Sequence, residues 1–292
     1  GGRIFPVSDH SSDVIKVLER RMKQLGVRLH LEREVKNVLI RDTEVGEKVR
    51  GVCLSDGETV EADRVIVATG GYSYRATGST GDGYRFARET GHRVTELFPA
   101  LVPMETKEEY IPRMQGLSLK NVSLVIRDGK KELYNAFGEM LFTHFGVSGP
   151  CVLTLSKPVC AALDAGQTSV IIKINLKPAL DAAQLDKRLQ RDFLKFSRKE
   201  FCNGLDELLP QSLIPVIVQL SGIDAHKRCH QITKAERERL GILLQALPLH
   251  VHSARPFNEA IVTAGGVNVK EINPKTMGSK QKPHLYFAGE EL

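Results

Sequence analysis

The sequence predicts an α/β fold that is interrupted by two inserted segments, one rich in β-strands and one helical. Short apolar strands that end in glycine occur both in the first third and at the end of the chain, as in sheets that bind ligands at strand ends. Between them, apolar residues alternate at 117–126 and then follow helical spacing at 181–249. A chain of 292 residues is long enough for about two domains.

The first elements are predicted to be a helix and a set of strands. Val14, Ile15 and Leu18 follow helical spacing, so we expect a helix from Ser12 to Leu25, capped by Ser11 or Ser12 and stopped by Gly26. Alternating apolar residues then predict strands at 27–31, 35–40 and 49–54, the last one followed by a turn at Asp56-Gly57.

The stretch from Asp63 to Tyr84 combines a strand with two glycine-rich turns. The apolar run from Val65 to Ala68 predicts a strand covered on both faces in a parallel sheet. Gly70 and Gly71 would let a ligand approach the backbone, and the turn TGSTGDG opens a helix that Gly91 stops. The alternative is an ordinary strand end followed by a polar surface loop.

The middle of the chain leaves this pattern. A proline-punctuated crossing at 98–103 is followed by an antiparallel β-rich segment, a helix from about Cys151 to Ala165 and a strand at 170–176. Helices are then predicted around Leu185–Phe193, at Leu208–Leu220, and after a Thr233/Glu236 capping box, where the apolar face extends to Leu247.

Composition excludes several classes of protein. The five cysteines are widely spaced and form no C-x-x-C pair, which argues against a disulfide framework and a zinc site. His250 and His252 share a strand face, but no acidic or cysteine ligand accompanies them, so no metal site is predicted. No apolar run is long enough for a membrane helix, and we expect a cytoplasmic protein.

The charge balance is basic, with a net charge of +6. The charges are interspersed, and only the stretch from Lys187 to Lys199 is locally basic, which we interpret as a solvated helix face. Nucleic acid is therefore not an expected partner. The expected partner is a small-molecule substrate, and the oligomeric state stays open.

The last segment returns to glycine-ended strands. Ile261–Gly266 is an apolar strand with a double glycine, and Leu285–Gly289 is another, followed by the acid Glu290. The order ATGG, TGDG and short helix resembles FAD-dependent oxidoreductases related to fumarate reductase flavoproteins. The motifs GRIFPVSD, GSTGDGYRFARETGH, EMLFTHFGVSGP, TAGGVNVKEINPKTM and LYFAGE more narrowly resemble the BaiN-like family of bacterial NAD(P)/FAD-dependent oxidoreductases.

This resemblance implies an incomplete Rossmann-like FAD-binding domain that carries an antiparallel β-barrel-like insert and a helical insert. The implied boundaries are 1–97 for the first part of the FAD-binding domain, 98–178 for the β-rich insert, 179–252 for the helical insert and 253–292 for the return segment. The family's G-x-G-x-x-G turn for the pyrophosphate is not found, so we expect a chain truncated at both ends that binds FAD weakly or not at all.

The resemblance also implies the residues of a flavin site. The adenosine end would lie beside Val35, and Glu290 would lie near the ribityl chain or the pyrophosphate. The full set of implied cofactor-binding residues is Val35, Ala68, Thr69, Gly70, Gly71, Thr80, Gly81, Asp82, Gly83, Thr263, Gly265, Gly266, Gly289 and Glu290.

Catalysis by a flavin enzyme needs little more from the protein than substrate placement and one proton. His144, in the segment THFGVSGP, is the candidate for exchanging that proton, and Ser148 is the candidate for orienting it or the substrate. Alternatively, His144 only hydrogen-bonds a loop in the insert.

The functional prediction is an FAD-dependent, NAD(P)H-linked reductase of a small organic substrate, with an enone as one candidate. Two other functions stay open. The chain would be either a nucleotide- or RNA-binding module without redox activity, as its basic helix and isoelectric point near 9.0 allow, or a catalytically inactive fragment.

Overall fold

The computed structural model describes residues 4–44, 46–128, 131–164, 166 and 170–292. The helices are α1 (Ser11–Gln24), α2 (Asp82–Glu89), α3 (Pro150–Asp164), α4 (Ala182–Lys195), α5 (Ile214–Ser221) and α6 (Lys234–Gln245). The strands are β1 (Val35–Thr43), β2 (Gly46–Leu54), β3 (Thr59–Glu61), β4 (Val65–Val67), β5 (Phe98–Ala100), β6 (Met104–Thr106), β7 (Ser118–Asp128), β8 (Lys131–Phe142), β9 (Gly146–Ser148), β10 (Val170–Asn175), β11 (Leu247–Ala254), β12 (Val262–Ala264) and β13 (Leu285–Phe287). This mixture confirms the predicted α/β fold class with a barrel and a helical insert.

The chain divides into two compact units, residues 1–66 with 278–286 and residues 67–277 with 287–292. In the first unit, β1, β2 and β3 form an antiparallel sheet. Val38 lies opposite Val52, and Val49 is completely buried. Gly57 has a φ of +89°, as the predicted turn after β2 requires.

The beginning of the first unit differs from the prediction. The helix α1 forms, but His10 rather than a serine occupies its N-cap, and none of its residues is buried. The predicted strand at 27–31 is wrong, because Val27, Leu29 and Leu31 are exposed and belong to no strand. Alternating apolar residues form a strand only where another strand supplies hydrogen-bond partners, and no described segment does so here.

The strand β4 also departs from its predicted environment. It pairs with β13 in a two-stranded sheet. Val67 is buried, but the side chain of Ile66 is 65% exposed, so the expectation of a strand covered on both faces is wrong. Successive side chains of a strand point to opposite faces, and of these two faces only the one that carries Val67 is covered by described residues.

The centre of the second unit is a closed barrel with strand order β10-β11-β6-β9-β8-β7. Leu124 and Ile126 of β7 lie opposite Ile174 and Ile172 of β10, and all four side chains are completely buried. Helix α3 packs against the barrel through residues such as Leu155, which is also completely buried. Ala165, the predicted end of α3, lies outside the described residues.

The helical insert begins with a full capping box, in which Asp181 caps α4. The predicted Thr233/Glu236 capping box before α6 is confirmed. Two predicted boundaries are wrong: α5 starts at Ile214 rather than Leu208, and Leu247 starts β11 instead of continuing α6. Leu208 and Leu247 are buried in the same core as the helices, so their apolar character does not report their backbone conformation.

Among the residues described, no helix has both the length and the apolar composition that a bilayer-spanning segment requires.

We expect Glu236→Gln to lower the free energy of unfolding by about 1–2 kcal/mol at pH 7, because this carboxylate completes the capping box of α6. It accepts hydrogen bonds from Lys227 Nζ at 2.8 Å and from the Thr233 backbone N–H at 2.7 Å. The Lys227 contact, followed by that N–H, lowers the pKa of Glu236 to about 2. Because the folded state lowers this pKa, the stabilisation is complete above the unfolded value of about 4.5 and is lost as the pH falls through 2.

Urea unfolding of the wild type and Glu236→Gln at several pH values measures this effect. The matched control is Glu238→Gln, since Glu238 is exposed on the same helix and its carboxylate is 3.8 Å from Lys234 Nζ. The control is expected to change stability by less than about 0.5 kcal/mol. A Glu236→Gln penalty that stays constant down to pH 2 would contradict the assignment.

Candidate functional site

Three distant segments meet in what we call the glycine cradle, defined as residues 69–73, 263–266 and 289–291. The Glu291 carboxylate accepts hydrogen bonds from the Gly70 N–H at 2.7 Å and from the Thr69 hydroxyl at 3.1 Å. The Glu290 carboxylate accepts from the Thr263 N–H at 2.5 Å and from the Gly71 N–H at 3.4 Å. Two adjacent acids therefore bind the turn after β4, and one of them also binds β12.

Further hydrogen bonds join the segments of the cradle to one another and to Tyr84 of α2. The buried Thr263 hydroxyl accepts from the Tyr72 N–H at 2.8 Å and lies 3.3 Å from the Ser73 hydroxyl. Tyr84 donates its phenol O–H to the Glu290 backbone carbonyl at 3.1 Å. Burial, followed by the negative charges of Glu290 and Glu291, raises the pKa of Tyr84 to about 12, so this phenol stays a donor at neutral pH.

Several of the predicted glycines have protein atoms at the place where the Cβ of another residue would lie. A Cβ at Gly71 would lie 2.6 Å from Thr263 Oγ1, and one at Gly83 would lie 2.6 Å from Glu291 Cγ. At Gly266 the obstacle is the Glu291 carbonyl oxygen at 2.4 Å. At Gly71 the place that a Cβ would take is thus filled by Thr263 and Glu290, so a side chain there is excluded by the protein itself.

Two further glycines of the predicted set make the same kind of contact with positive φ. Gly81, at φ +84°, faces the ring of Tyr72, and Gly265, at φ +85°, faces the Glu96 carbonyl oxygen. Any other residue at either position would have an unfavourable backbone conformation, and its Cβ would also clash with these atoms.

The other predicted cofactor residues lie at different places. Ala68, Thr69 and Gly289 are exposed at the outer edge of the cradle. The Thr80 hydroxyl donates to Asp82 at 2.7 Å, and hydrogen bonds from Arg85 and from Thr80 lower the pKa of Asp82. Val35 belongs to the first unit, where it pairs with Leu54.

The sequence did not single out Glu291, which is the most buried acid of the cradle with an exposed fraction of 0%. It also did not single out Thr95, whose N–H and hydroxyl both donate to the Gly266 carbonyl while its hydroxyl oxygen accepts from the Gly266 N–H. The one signal for Glu291 was an acidic pair directly after a glycine-ended apolar strand.

The two predicted catalytic residues are not joined to each other by any hydrogen bond in the described part of the chain. His144 is exposed and packs edge-on against Phe145, with ring centroids 4.9 Å apart. Ser148 is half-buried in β9, where Leu141 is its strand partner. His144 does lie near Glu259, whose pKa is lowered mainly by hydrogen bonds from Arg255 and to a smaller extent by the charge of His144.

A cavity of about 440 Å³ separates β5 from the end of β11. Its polar wall contains His252, Ser253 and Arg255. Arg255 donates to both Glu105 and Glu259, and Ser253 donates to Glu105 at 2.7 Å. These contacts tie β6 and β11 to the turn that precedes β12, and hydrogen bonds from Ser253 and Arg255 lower the pKa of Glu105.

The histidines of β11 have acidic neighbours that come from a distant part of the sequence. His250 lies 2.7 Å from Glu108, and His252 lies 3.3 Å from Glu105. The premise that no acid accompanies these histidines is therefore wrong. Each pair stays separate, and no group of three metal-ligating side chains gathers among the described residues.

The donor set of the cradle indicates which part of an FAD molecule it suits. The backbone N–H groups of Gly70, Gly71 and Thr263 already donate to carboxylates, so they are not free to hold a pyrophosphate. Carboxylates accept hydrogen bonds from hydroxyl groups. Glu291 Oε2 is buried and has no hydrogen-bond partner in the described residues. The cradle therefore offers carboxylate acceptors that suit hydroxyl donors, such as those of a ribityl or ribose chain, and these three N–H groups are not available to a phosphate.

Comparison with known proteins gives two family matches. The profile of the HI0933-like protein barrel and H2TH domain matches residues 98–262, and that of pyridine nucleotide-disulphide oxidoreductases matches residues 2–92. The first match spans the barrel and the helical insert.

Three curated relatives cover the whole of this chain. The 3-dehydro-bile acid delta(4,6)-reductase of Clostridium scindens is 29% identical, and the chain covers 69% of it. The ribosomal RNA dihydrouridine synthases of Haemophilus influenzae and Escherichia coli are 29% and 27% identical, and the chain covers 68% of each. Together the matches confirm the resemblance to BaiN-like flavoprotein oxidoreductases.

We expect Gly83→Ala to destabilise the protein by about 1–3 kcal/mol, because its Cβ would overlap Glu291 Cγ and Thr69 Oγ1 in a packed interior. A glycine-to-alanine change within a helix otherwise stabilises by about 0.5–1 kcal/mol. Gly241→Ala in α6 provides the matched control, since a Cβ there meets nothing within 4 Å. Thermal or urea unfolding should therefore give opposite signs for the two variants, and two stabilising changes would show that Glu291 does not pack on Gly83.

Proposed function

The chain belongs to the HI0933-like family, and on this premise we propose that its glycine cradle is the polyol-facing wall of an FAD site in a NAD(P)H-linked reductase. The observation that carries the proposal is the acidic pair Glu290-Glu291, held against two glycine-ended strands. Glu291 is fully buried and holds the turn after β4, whereas Glu290 is half-buried and presents the carboxylate that a ligand hydroxyl can reach.

The outer edge of the cradle supports the same assignment. Ala68 and Gly289 are exposed and carry no bulky side chain, and Thr69 adds only a small polar group. A flat or extended ligand can approach such an edge closely, whereas a large side chain there would exclude it. Tyr84 and Thr263 hold the cradle rigid beneath that edge, so little ordering would be required on binding.

The names of the relatives support a reaction class. A delta(4,6)-reductase and a dihydrouridine synthase have in common the addition of hydrogen across a carbon–carbon double bond. We infer that this chain serves the same class, and that an enone steroid and a uridine in RNA are the two candidate substrates. When bound, the flavin would supply the hydride, and the protein would bind and orient the substrate and supply the proton.

We propose His144 as the residue that exchanges this proton. Its exposed imidazole lies near the ionised Glu259, and the turn that carries Glu259 also carries Phe257, whose ring packs against Tyr72 of the cradle at a centroid distance of 5.7 Å. Ser148 has no hydrogen bond to His144 or Glu259 in the described residues, and we propose for it only a contact with the substrate.

We expect Ala68→Glu to weaken FAD binding at least about tenfold, because it places bulk and negative charge at the exposed edge where the anionic dinucleotide would lie. The matched control is Ala62→Glu, an equally exposed alanine outside the cradle, which should leave the affinity unchanged. Quenching of flavin fluorescence, as protein is titrated into FAD, measures both affinities. The unsubstituted protein is expected to bind FAD weakly, because no G-x-G-x-x-G turn is found in its sequence. Equal affinities of the two variants would remove the edge assignment, and FAD binding too weak to detect in the unsubstituted protein would remove the cofactor proposal.

We expect His144→Gln to lower turnover with NAD(P)H and an enone or RNA substrate about 100-fold, with little change in KM, because the proton donor is lost and the substrate contacts are kept. One ionisation should disappear from the pH profile of turnover. The control His230→Gln replaces another exposed histidine, whose Nδ1 lies 2.8 Å from the Ser197 carbonyl oxygen. Unchanged turnover in His144→Gln would assign the proton to another group.

A further inference from the structure

A groove of about 630 Å³ lies on the outside of the barrel, far in the sequence from the glycine cradle. We call it the Phe137 groove. It is lined by Lys120, Asn121, Phe137, Leu176, Lys177, Pro178, Ala179 and Leu180.

Phe137 presents an aromatic face to solvent in the middle of a sheet. Its side chain is 66% exposed, although the neighbouring strands bury their large apolar residues. Phe137 of β8 lies opposite Ser123 of β7, which in turn lies opposite Asn175 of β10. Because residues opposite each other in antiparallel strands share a face, the outer face carries an aromatic ring beside a hydroxyl and an amide.

Two lysines line the same groove as the ring and have no acidic partner among the described residues. Neither Lys120 nor Lys177 has a carboxylate within 4 Å in the described part of the chain. Lys173, two residues before Asn175 on β10, adds another such cation to the same outer face. Glu139 is exposed two residues after Phe137, and it also forms no ion pair with these lysines among the described residues.

The basic stretch of α4 has a different character. Arg188 pairs with the buried Asp192 at 2.6 Å, Lys195 with Glu207 at 2.7 Å, and Lys199 with Asp206 at 3.9 Å. These three cations are therefore balanced by nearby acids, which supports the interpretation of this stretch as a solvated helix face. The groove, in contrast, keeps its positive charge available to an anion.

Lys177 is partly buried, so its ammonium group is less well solvated than that of an exposed lysine. Burial and, to a smaller extent, the charge of Arg188 lower the pKa of Lys177. A cation in such a place is poorly solvated and gains more from an approaching anion than a fully exposed lysine does.

We propose that the Phe137 groove binds a single-stranded nucleic acid, with one base stacked on Phe137 and the adjoining phosphates beside Lys120 and Lys177. The combination of a free aromatic face, hydrogen-bonding side chains and unpaired cations is the one that sequence-tolerant single-strand binding uses. A closed barrel offers no strand edge to which a peptide could add, and a duplex keeps its bases stacked inside, away from Phe137.

Nucleic acid is not an expected partner from the sequence, because the basic stretch of α4 is interpreted as a solvated helix face. The Phe137 groove is a different surface, and we propose nucleic acid as its ligand. It does not rest on the flavin proposal, because the groove and the cradle have no residue in common. If the substrate is RNA, the groove would hold the strand while the reacting base lies elsewhere.

Fluorescence anisotropy with a labelled single-stranded RNA of roughly ten nucleotides tests the proposal. Phe137→Ala is expected to weaken binding about ten- to 100-fold with an unchanged salt dependence, and Phe137→Trp to restore it. Lys120→Gln and Lys177→Gln should each reduce the slope of log K against log salt by about 0.7. Glu139→Gln should strengthen binding.

The matched controls lie on α4. Lys187→Gln removes an exposed lysine, and Leu194→Ala removes an apolar side chain that is 79% exposed, so neither should change RNA binding. Undetectable RNA binding would overturn the proposal. Equal losses of RNA affinity in Lys187→Gln and Lys120→Gln would also overturn it, as would an equal affinity of the protein for an acidic peptide or for duplex RNA. FAD affinity measured on Phe137→Ala should stay unchanged, which separates this test from that of the cradle.

Discussion

The larger unit of this protein depends on one constraint: the backbone N–H groups at its glycine turns need acceptors where little water reaches them. The carboxylates of Glu290 and Glu291 supply these acceptors. Glu291 reaches Thr69 across 222 positions of the sequence. Hydrogen bonds from backbone N–H groups to a charged acceptor are about twice as strong as neutral ones, so a few of them can hold segments that share little apolar surface.

This arrangement explains how the long excursion between the two halves of the cradle is accommodated. The chain leaves through β5 and returns through β12, and these strands pair directly, with Ala100 opposite Val262. The ends of the intervening segment are thus held side by side. The barrel and the helices can then build their own core, in which Phe142 and Leu249 are completely buried, without requiring apolar contacts from the cradle.

Features that depend on neighbouring residues were predictable from the sequence. The Thr233/Glu236 capping box and the turn at Gly57 each follow from side chains or backbone freedom within a few positions. Features that depend on distant partners were not. Leu29 and Leu31 alternate like a strand but have none beside them, and Ile66 has no covering layer.

The candidate site also combines features set by neighbouring residues with features set by distant ones. The glycines were found because a sharp turn needs them locally, but the atoms that fill the space beside them come from Thr263 and from Glu291, which sequence spacing could not place. No acid beside His250 can be predicted from the sequence, because Glu108 is 142 positions away along the chain. Contacts between segments that are distant in the sequence are therefore the information that the sequence pattern leaves out.

Charge gives the sharpest example of this distinction. The net charge of +6 and the local basic stretch both direct attention to α4, where acids from the same insert pair with Arg188 and Lys195. Lys120 and Lys177 are inconspicuous in the sequence, yet the fold brings them into one groove with an exposed ring. What attracts an anion is the charge left unpaired after folding, so a binding surface has to be sought from the ion pairs of the folded chain and not from the density of basic residues along it.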